Sequence, residues 1–304
     1  MKLEIIAAES LGVRGLCCVV TFERRRIVID PGVALGYVRH GLLPHPQQVA
    51  AGRRVRRAII AGLRGATDVV FSHLHGDHVP LADANPYQLA LRSLPPPGPT
   101  VHGWTLSEDN LSPPMAARLE DLRRWFGPRL QVAEGETHGP LSFSPAVPHG
   151  LPDSPLGEVM MTRVEFANQV FVHASDIQLL DETAVTAIVD WHPDIVLAAG
   201  PPLYLQRLDR EARQTAWENA CRLAGSVGTL ILDHHLMRSK DGPRWLDELS
   251  AAVGRRVLCA ADHMGQPRQL LEARRSQLYE NSPVPEGWHE RYAKGVDLTG
   301  CGTP

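Results

Sequence analysis

At 304 residues, with 43% hydrophobic and 21% charged side chains, the chain can build a sizeable core and lacks the bias of disordered, collagen-like or coiled-coil sequences. Its 31 basic and 34 acidic residues leave a formal charge of −3, without the basic footprint of a nucleic-acid binder. The opening MKLEIIAAES has no signal-peptide core, and no apolar run reaches the ~18 residues that span a bilayer, so the default expectation is a cytoplasmic enzyme with no membrane partner.

Lys2 to Ala8, Leu16 to Phe22 and Arg26 to Asp30 read as three opening strands, the last two joined by a charged turn at Glu23 to Arg25. A helix is predicted over Pro46 to Gly65, with Arg53, Arg54, Arg56 and Arg57 on a solvated face. Strand Asp68 to Ser72 then leads into a histidine cluster. After the proline-rich break at 94–99 comes a helix over 113–126, followed by strands at Gln131 to Glu134, Leu141 to Val147, Glu158 to Phe166 and Gln169 to Ala174. From there β and α alternate: Ile195 to Ala198, helix 205–223, Thr229 to Leu232, helix 243–252, and Arg256 to Cys259. This order predicts an α/β protein of two β-sheets enclosed by outer helices. No linker or repeat divides it, so one domain is expected over 1–282, with 283–304 as a C-terminal wrapping tail. The cysteines Cys17, Cys18, Cys221, Cys259 and Cys301 include no CxxC and suit buried thiols better than a disulfide framework or zinc knuckle.

The chemistry concentrates in His73-Leu74-His75-Gly76-Asp77-His78, directly after an apolar strand. Residues two apart in extended backbone project to one side, so His73 and His75 can grip one cation. Gly76 allows a sharp turn, after which Asp77 and His78 point elsewhere and form half of a second site. A single histidine is usually a satisfied core or surface group, but three with an aspartate in six residues would leave many buried donors and acceptors unpaired without metal.

HxHxDH after a strand resembles the signature of the metallo-β-lactamase superfamily, and the other stations follow in order. The resemblance implies a metallo-β-lactamase-like αββα sandwich. It implies that Asp30, in Ile29-Asp30-Pro31-Gly32, orients metal-ligand histidines, and that His149 completes a three-histidine set. It further implies that Asp176 bridges two metals, and that Asp233-His234-His235 supplies the last histidine. Neighbours at a strand end point opposite ways, so either His234 or His235 can serve. Ribonuclease-Z-like relatives favour His234, which precedes Arg238 by four positions, with His235 then behind the ligands, facing substrate, or simply partnering a nearby carboxylate. A narrower resemblance, carried by Glu9-Ser10-Leu11-Gly12-Val13-Arg14, Leu43-Pro44-His45-Pro46, Asp233-His234-His235-Leu236-Met237-Arg238 and Pro283-Val284-Pro285-Glu286-Gly287-Trp288, is to an uncharacterised family of predicted metallo-hydrolases best known from archaea.

The implied cofactors are two divalent cations, foremost zinc, with manganese or iron as alternatives. The implied reaction is hydrolysis of a small ester, lactone, amide, thioester or phosphodiester by a metal-bridging hydroxide. Asp77 would orient the nucleophile, and His235 or His263 would protonate the leaving group. His263 stands where relatives are expected to carry a larger apolar residue. Ser10, Arg14 and Arg238 could hold an anionic substrate group, whereas His45 reads as a loop histidine and His173 as structural. A ribonuclease Z-like nuclease is the alternative, weakened by the acidic balance and by the 58 positions between Asp176 and His234, too few for an inserted nucleic-acid-gripping domain. A di-iron redox enzyme is a further alternative, weakened because oxygen-reducing relatives usually carry a glutamate in place of His75. Homo-oligomerisation stays open.

Overall fold

The computed structural model describes residues 1–151 and 155–296. The first sheet opens on the expected meander of β1 (Lys2–Ile5), β2 (Cys18–Phe22) and β3 (Arg25–Ile29). Helix α1 (Pro46–Leu63) carries the chain to β4 (Asp68–Phe71), parallel to β3. Two more parallel strands, β5 (His102–Thr105) and, after α2 (Pro113–Phe126), β6 (Leu130–Val132), complete the order β1-β2-β3-β4-β5-β6.

The second half repeats this progression from antiparallel to parallel. β7 (Thr137–His138) and β8 (Leu141–Phe143) are followed by a small ribbon of β9 (Val147–Pro148) and β10 (Glu158–Val159). Then come β11 (Thr162–Phe166), β12 (Gln169–Ser175), α3 (Glu182–Asp190), β13 (Ile195–Ala198), α4 (Arg210–Ser226) and β14 (Thr229–Leu232), in sheet order β14-β13-β12-β11-β8-β7. Helices α5 (Gly242–Ala252), α6 (Ala260–His263), α7 (Arg275–Asn281) and α8 (Trp288–Ala293) close the described chain. Both sheets contribute to one continuous apolar cluster, and all four residues of β4 are buried, as expected of a parallel strand covered on both faces.

Several predicted elements differ in extent, each for a local reason. The run Leu141 to Val147 breaks because Pro145 has no amide hydrogen and Ser144 donates to Met161 O at 3.0 Å. Glu158 to Phe166 is interrupted where Met160 N–H crosses to Ser72 O at 2.8 Å. Arg256 to Cys259 is not a strand: Leu258 makes one bridge to Ile231 before Cys259 starts α6. The helix expected from 205 begins at Arg210, where Asp209 Oδ1 accepts from Ala212 N at 2.8 Å. β5 and α3 were not anticipated. Beyond residue 282, Trp288 is buried and His289 lies between the hydroxyls of Tyr87 (2.9 Å) and Tyr279 (3.0 Å); the rest of the proposed tail from 297, with Cys301, lies outside the described residues.

The functional consequence of the topology is that the carboxyl ends of β3, β4, β12, β13 and β14 gather the loops bearing Asp30, His73 to His78, Asp176, Tyr204 and Asp233 to His235. Loops at such ends are where open α/β sheets bind ligands.

Candidate metal centre

Asp30 follows β3 with φ +48° and is fully buried. Its Oδ1 accepts from Ser72 N (2.8 Å); its Oδ2 accepts from Ser72 Oγ (2.6 Å) and Ser175 Oγ (2.7 Å) and lies 3.0 Å from His78 Nδ1. Ser72 Oγ is also 2.9 Å from His73 Nδ1. A carboxylate cannot donate, so it keeps the His78 proton on Nδ1 and, through Ser72, the His73 proton on Nδ1. In the neutral form of each ring Nε2 is thereby left bare. Burial works against the Asp30 charge, but the His78 contact outweighs it and holds the carboxyl well below its usual range.

This arrangement makes Asp30→Asn informative. Ser72 N–H must keep an oxygen at the Oδ1 position, so the new amide nitrogen would face His78 Nδ1 and drive its proton to Nε2. Cation affinity is expected to fall by about 10–100-fold, measured by competition with a chromophoric chelator; unchanged affinity would refute the orienting role.

The cluster itself is organised by Asp176, directly after β12 and 2% exposed. Its Oδ2 lies 2.7 Å from His149 Nε2, 3.2 Å from His235 Nε2 and 3.6 Å from His73 Nε2. Its Oδ1 lies 3.1 Å from His78 Nε2 and 3.6 Å from His234 Nε2. One carboxylate therefore faces two sets of imidazoles. Donor atoms of His73, His75, His149 and Asp176 come within 4.8 Å of one another, as do those of Asp77, His78 and His234. A further such group is Asp176 with His234 and His235.

Burial and neighbouring charges set the state of each ring. Burial, then the neighbouring His73 and His149, hold His75 down to about 2, so its ring is neutral. Burial and Arg238 lower His234 to about 4 against the pull of Asp176 and Asp77. Donors face both of its nitrogens, Gly15 N–H at 3.2 Å from Nδ1 and Arg238 Nη2 at 3.0 Å from Nε2. On His78 burial opposes a charge, yet Asp176 and Asp30 prevail and would hold a positive charge there. His73 Nε2 and Asp176 Oδ1 are buried without a hydrogen-bond partner. Orphaned acceptors in a ring of imidazoles and carboxylates fit divalent cations, because each lone pair needs a positive partner to offset its desolvation.

The structure therefore brings together Asp30, His73, His75, Asp77, His78, His149, Asp176, His234 and His235. It does not join His263 to them. That residue ends α6 half-buried, with no side-chain hydrogen bond or ion pair among the described residues. The anion-holding expectation for Ser10 and Arg14 is corrected: Ser10 N donates to Asp233 Oδ1 (3.0 Å), its hydroxyl contacts Asp233 Oδ2, and Arg14 Nε donates to Glu272 (2.8 Å). His45 is neither solvated nor near the cluster but caps α1, accepting from Gln47 N at 3.2 Å. His173 Nε2 bonds Leu16 O at 2.8 Å, the structural role its strand parity implied.

Sequence reasoning missed Gln178, whose amide lies 3.1 Å from His149 Nδ1, and Tyr204, whose hydroxyl lies 3.0 Å from His235 Nδ1 and 3.2 Å from Arg238 Nη1. Ser72 and Ser175, next to His73 and Asp176, were the one legible signal, since small hydroxyl residues beside ligand types often orient them.

The architecture is the metallo-β-lactamase fold: it is similar to the metallo-β-lactamase fold protein YhfI from Bacillus subtilis, with a TM-score of 0.51 over 84% of this chain and 95% of that one at 12% identity. No protein-family model matches. Over 295 residues, 97% of each chain, the sequence is 50% identical to a UPF0282 protein of Methanosarcina mazei. It is 31% identical over 293 residues, 92% of each chain, to a UPF0282 protein of Pyrococcus furiosus. The chain belongs to the UPF0282 family.

Proposed function

We propose that this protein is a hydrolase that uses two divalent cations, foremost zinc, on a small ester, lactone, amide or phosphodiester. The observation that carries the reading is the division of labour at Asp176, whose two buried oxygens face two separate sets of imidazoles. In this assignment His73, His75 and His149 hold one cation, Asp77, His78 and His234 the other, and Asp176 both. Bound cations of this kind supply Lewis acidity and make a coordinated water acidic enough to serve at neutral pH.

The protein's own groups supply the rest. Asp30, Ser72 and Gln178 set the ring orientations of the histidines behind the site. Asp77, whose side chain is 19% exposed, orients the attacking group. Arg238 has no lone pair, so Tyr204 oxygen accepts from it and Tyr204 O–H donates to His235 Nδ1. The His235 proton then sits on Nε2, which points at the centre and is placed to reach a leaving oxygen.

Alanine at 234 and at 235 separates these roles. His234→Ala is expected to release one cation, whereas His235→Ala keeps both and loses about 10²–10⁴-fold in turnover, measured by elemental analysis beside a hydrolysis screen across ester, lactone, amide and phosphodiester substrates with zinc and manganese. The reverse pattern of metal loss exchanges the two assignments, and fully loaded protein that turns over none of these classes removes the hydrolytic reading.

A further inference from the structure

Beside the histidine cluster lies a second buried charge network. Glu272 accepts from Arg14 Nε at 2.8 Å and Arg39 Nη1 at 3.4 Å and lies 3.6 Å from Arg275 Nη2, while Arg238 Nε pairs with Glu9 at 2.6 Å. Four guanidiniums thus share two carboxylates. Among the described residues, the one other carboxylate in ion-pair reach of the four is Asp77, 3.8 Å from Arg238 Nη2, and the reading above gives it to a cation. A largely buried charge without a counter-charge is unfavourable, so the surplus calls for an anion. Arg39 shows where. Its Nε is buried and unpartnered, Nη2 donates to Arg238 O at 3.0 Å, and its side chain is 16% exposed.

Tyr204 ties this surplus to the metal centre. The Cζ atoms of Arg39 and Arg238 lie 5.3 and 5.5 Å from its ring centroid, and its hydroxyl reaches His235. We infer that Arg39 and Arg238, held against the Tyr204 ring, bind a phosphate group of the substrate beside the metal centre. The inference deepens the hydrolytic reading and rests on its placement of the reacting centre. Two surplus positive charges match a phosphate dianion better than one carboxylate, and planar guanidinium forks fit its oxygens. Divalent cations add to the same positive field.

The test is calorimetric titration of inorganic phosphate into the full chain at low ionic strength, as purified and after chelation. Wild type is expected to bind phosphate in both states and to bind acetate more weakly. Arg39→Gln should weaken phosphate by about tenfold or more, the worth of a charge-assisted hydrogen bond, with cation content unchanged. Arg39→Lys keeps the charge but loses the fork and should weaken it by about threefold; that variant carries the test if Arg39→Gln does not fold. Phosphate affinity indifferent to Arg39, no phosphate binding, or acetate bound as tightly as phosphate overturns the inference. A chain that takes up no cation yet binds phosphate through Arg39 removes the hydrolytic reading and leaves the phosphate site standing without a reacting centre beside it.

Discussion

Replacing Asp176 by alanine is expected to leave at most one divalent cation per chain and to lower turnover by about 10³-fold. Among the described residues the carboxylate is the one group whose two oxygens each face imidazoles of a different set, at 2.7 Å for His149 and 3.1 Å for His78. Its removal leaves the buried rings of His73, His78, His149, His234 and His235 without their shared negative centre. Burial raises the Asp176 pKa, but the surrounding imidazoles, His78 foremost, overcome this and hold it well below the ordinary value. The group is therefore ionised, and alanine deletes a full charge rather than a dipole. Elemental analysis reads the stoichiometry, and a melt with and without chelator reads the coupling of cation binding to stability. Two cations retained at native affinity in this variant would falsify the bridging assignment.

Gly32→Ala should disable the same centre from behind. A Cβ at Gly32 would stand 2.2 Å from the backbone carbon of His78 and 2.3 Å from the amide nitrogen of Val79. A Cβ at Gly15, φ +126°, would meet Asp77 O at 2.7 Å. Three backbone segments pack here with no side chain between them, and rigid backbone cannot rotate away as a flexible side chain can. The added methyl must push His78 from Asp30 and Asp176, costing about 3 kcal/mol, or about 5 °C in Tm for a chain of this length, together with affinity at the second cation. Gly225→Ala is the control, because it lies in α4 with nothing within 4 Å of the added carbon; its melt should stay within about 1 kcal/mol of wild type or rise. A Gly32→Ala melt matching that control shows that the turn can yield.

Hydrophobic periodicity and turn residues located most strands and the long helices, because those signals act over a few neighbouring residues. Helix α2 and strands β13 and β14 have the expected bounds. The six residues from His73 to His78 pointed to a candidate cation site for the same reason: their spacing on extended backbone decides which side chains share a face. Contacts between distant stretches left no such trace. Ser10 and Asp233 lie 223 positions apart and Arg14 and Glu272 258 apart, so nothing local revealed that Ser10 and Arg14 are spent on partners within the fold. Folding likewise placed His234 with Asp77 and His78, and His235 against Tyr204 and the other oxygen of Asp176. It also stacked Arg39 and Arg238 on Tyr204. Local spacing names the chemical groups a chain can offer, but the identity of the oxygen facing each imidazole depends on loops from two sheets converging, which only long-range packing determines.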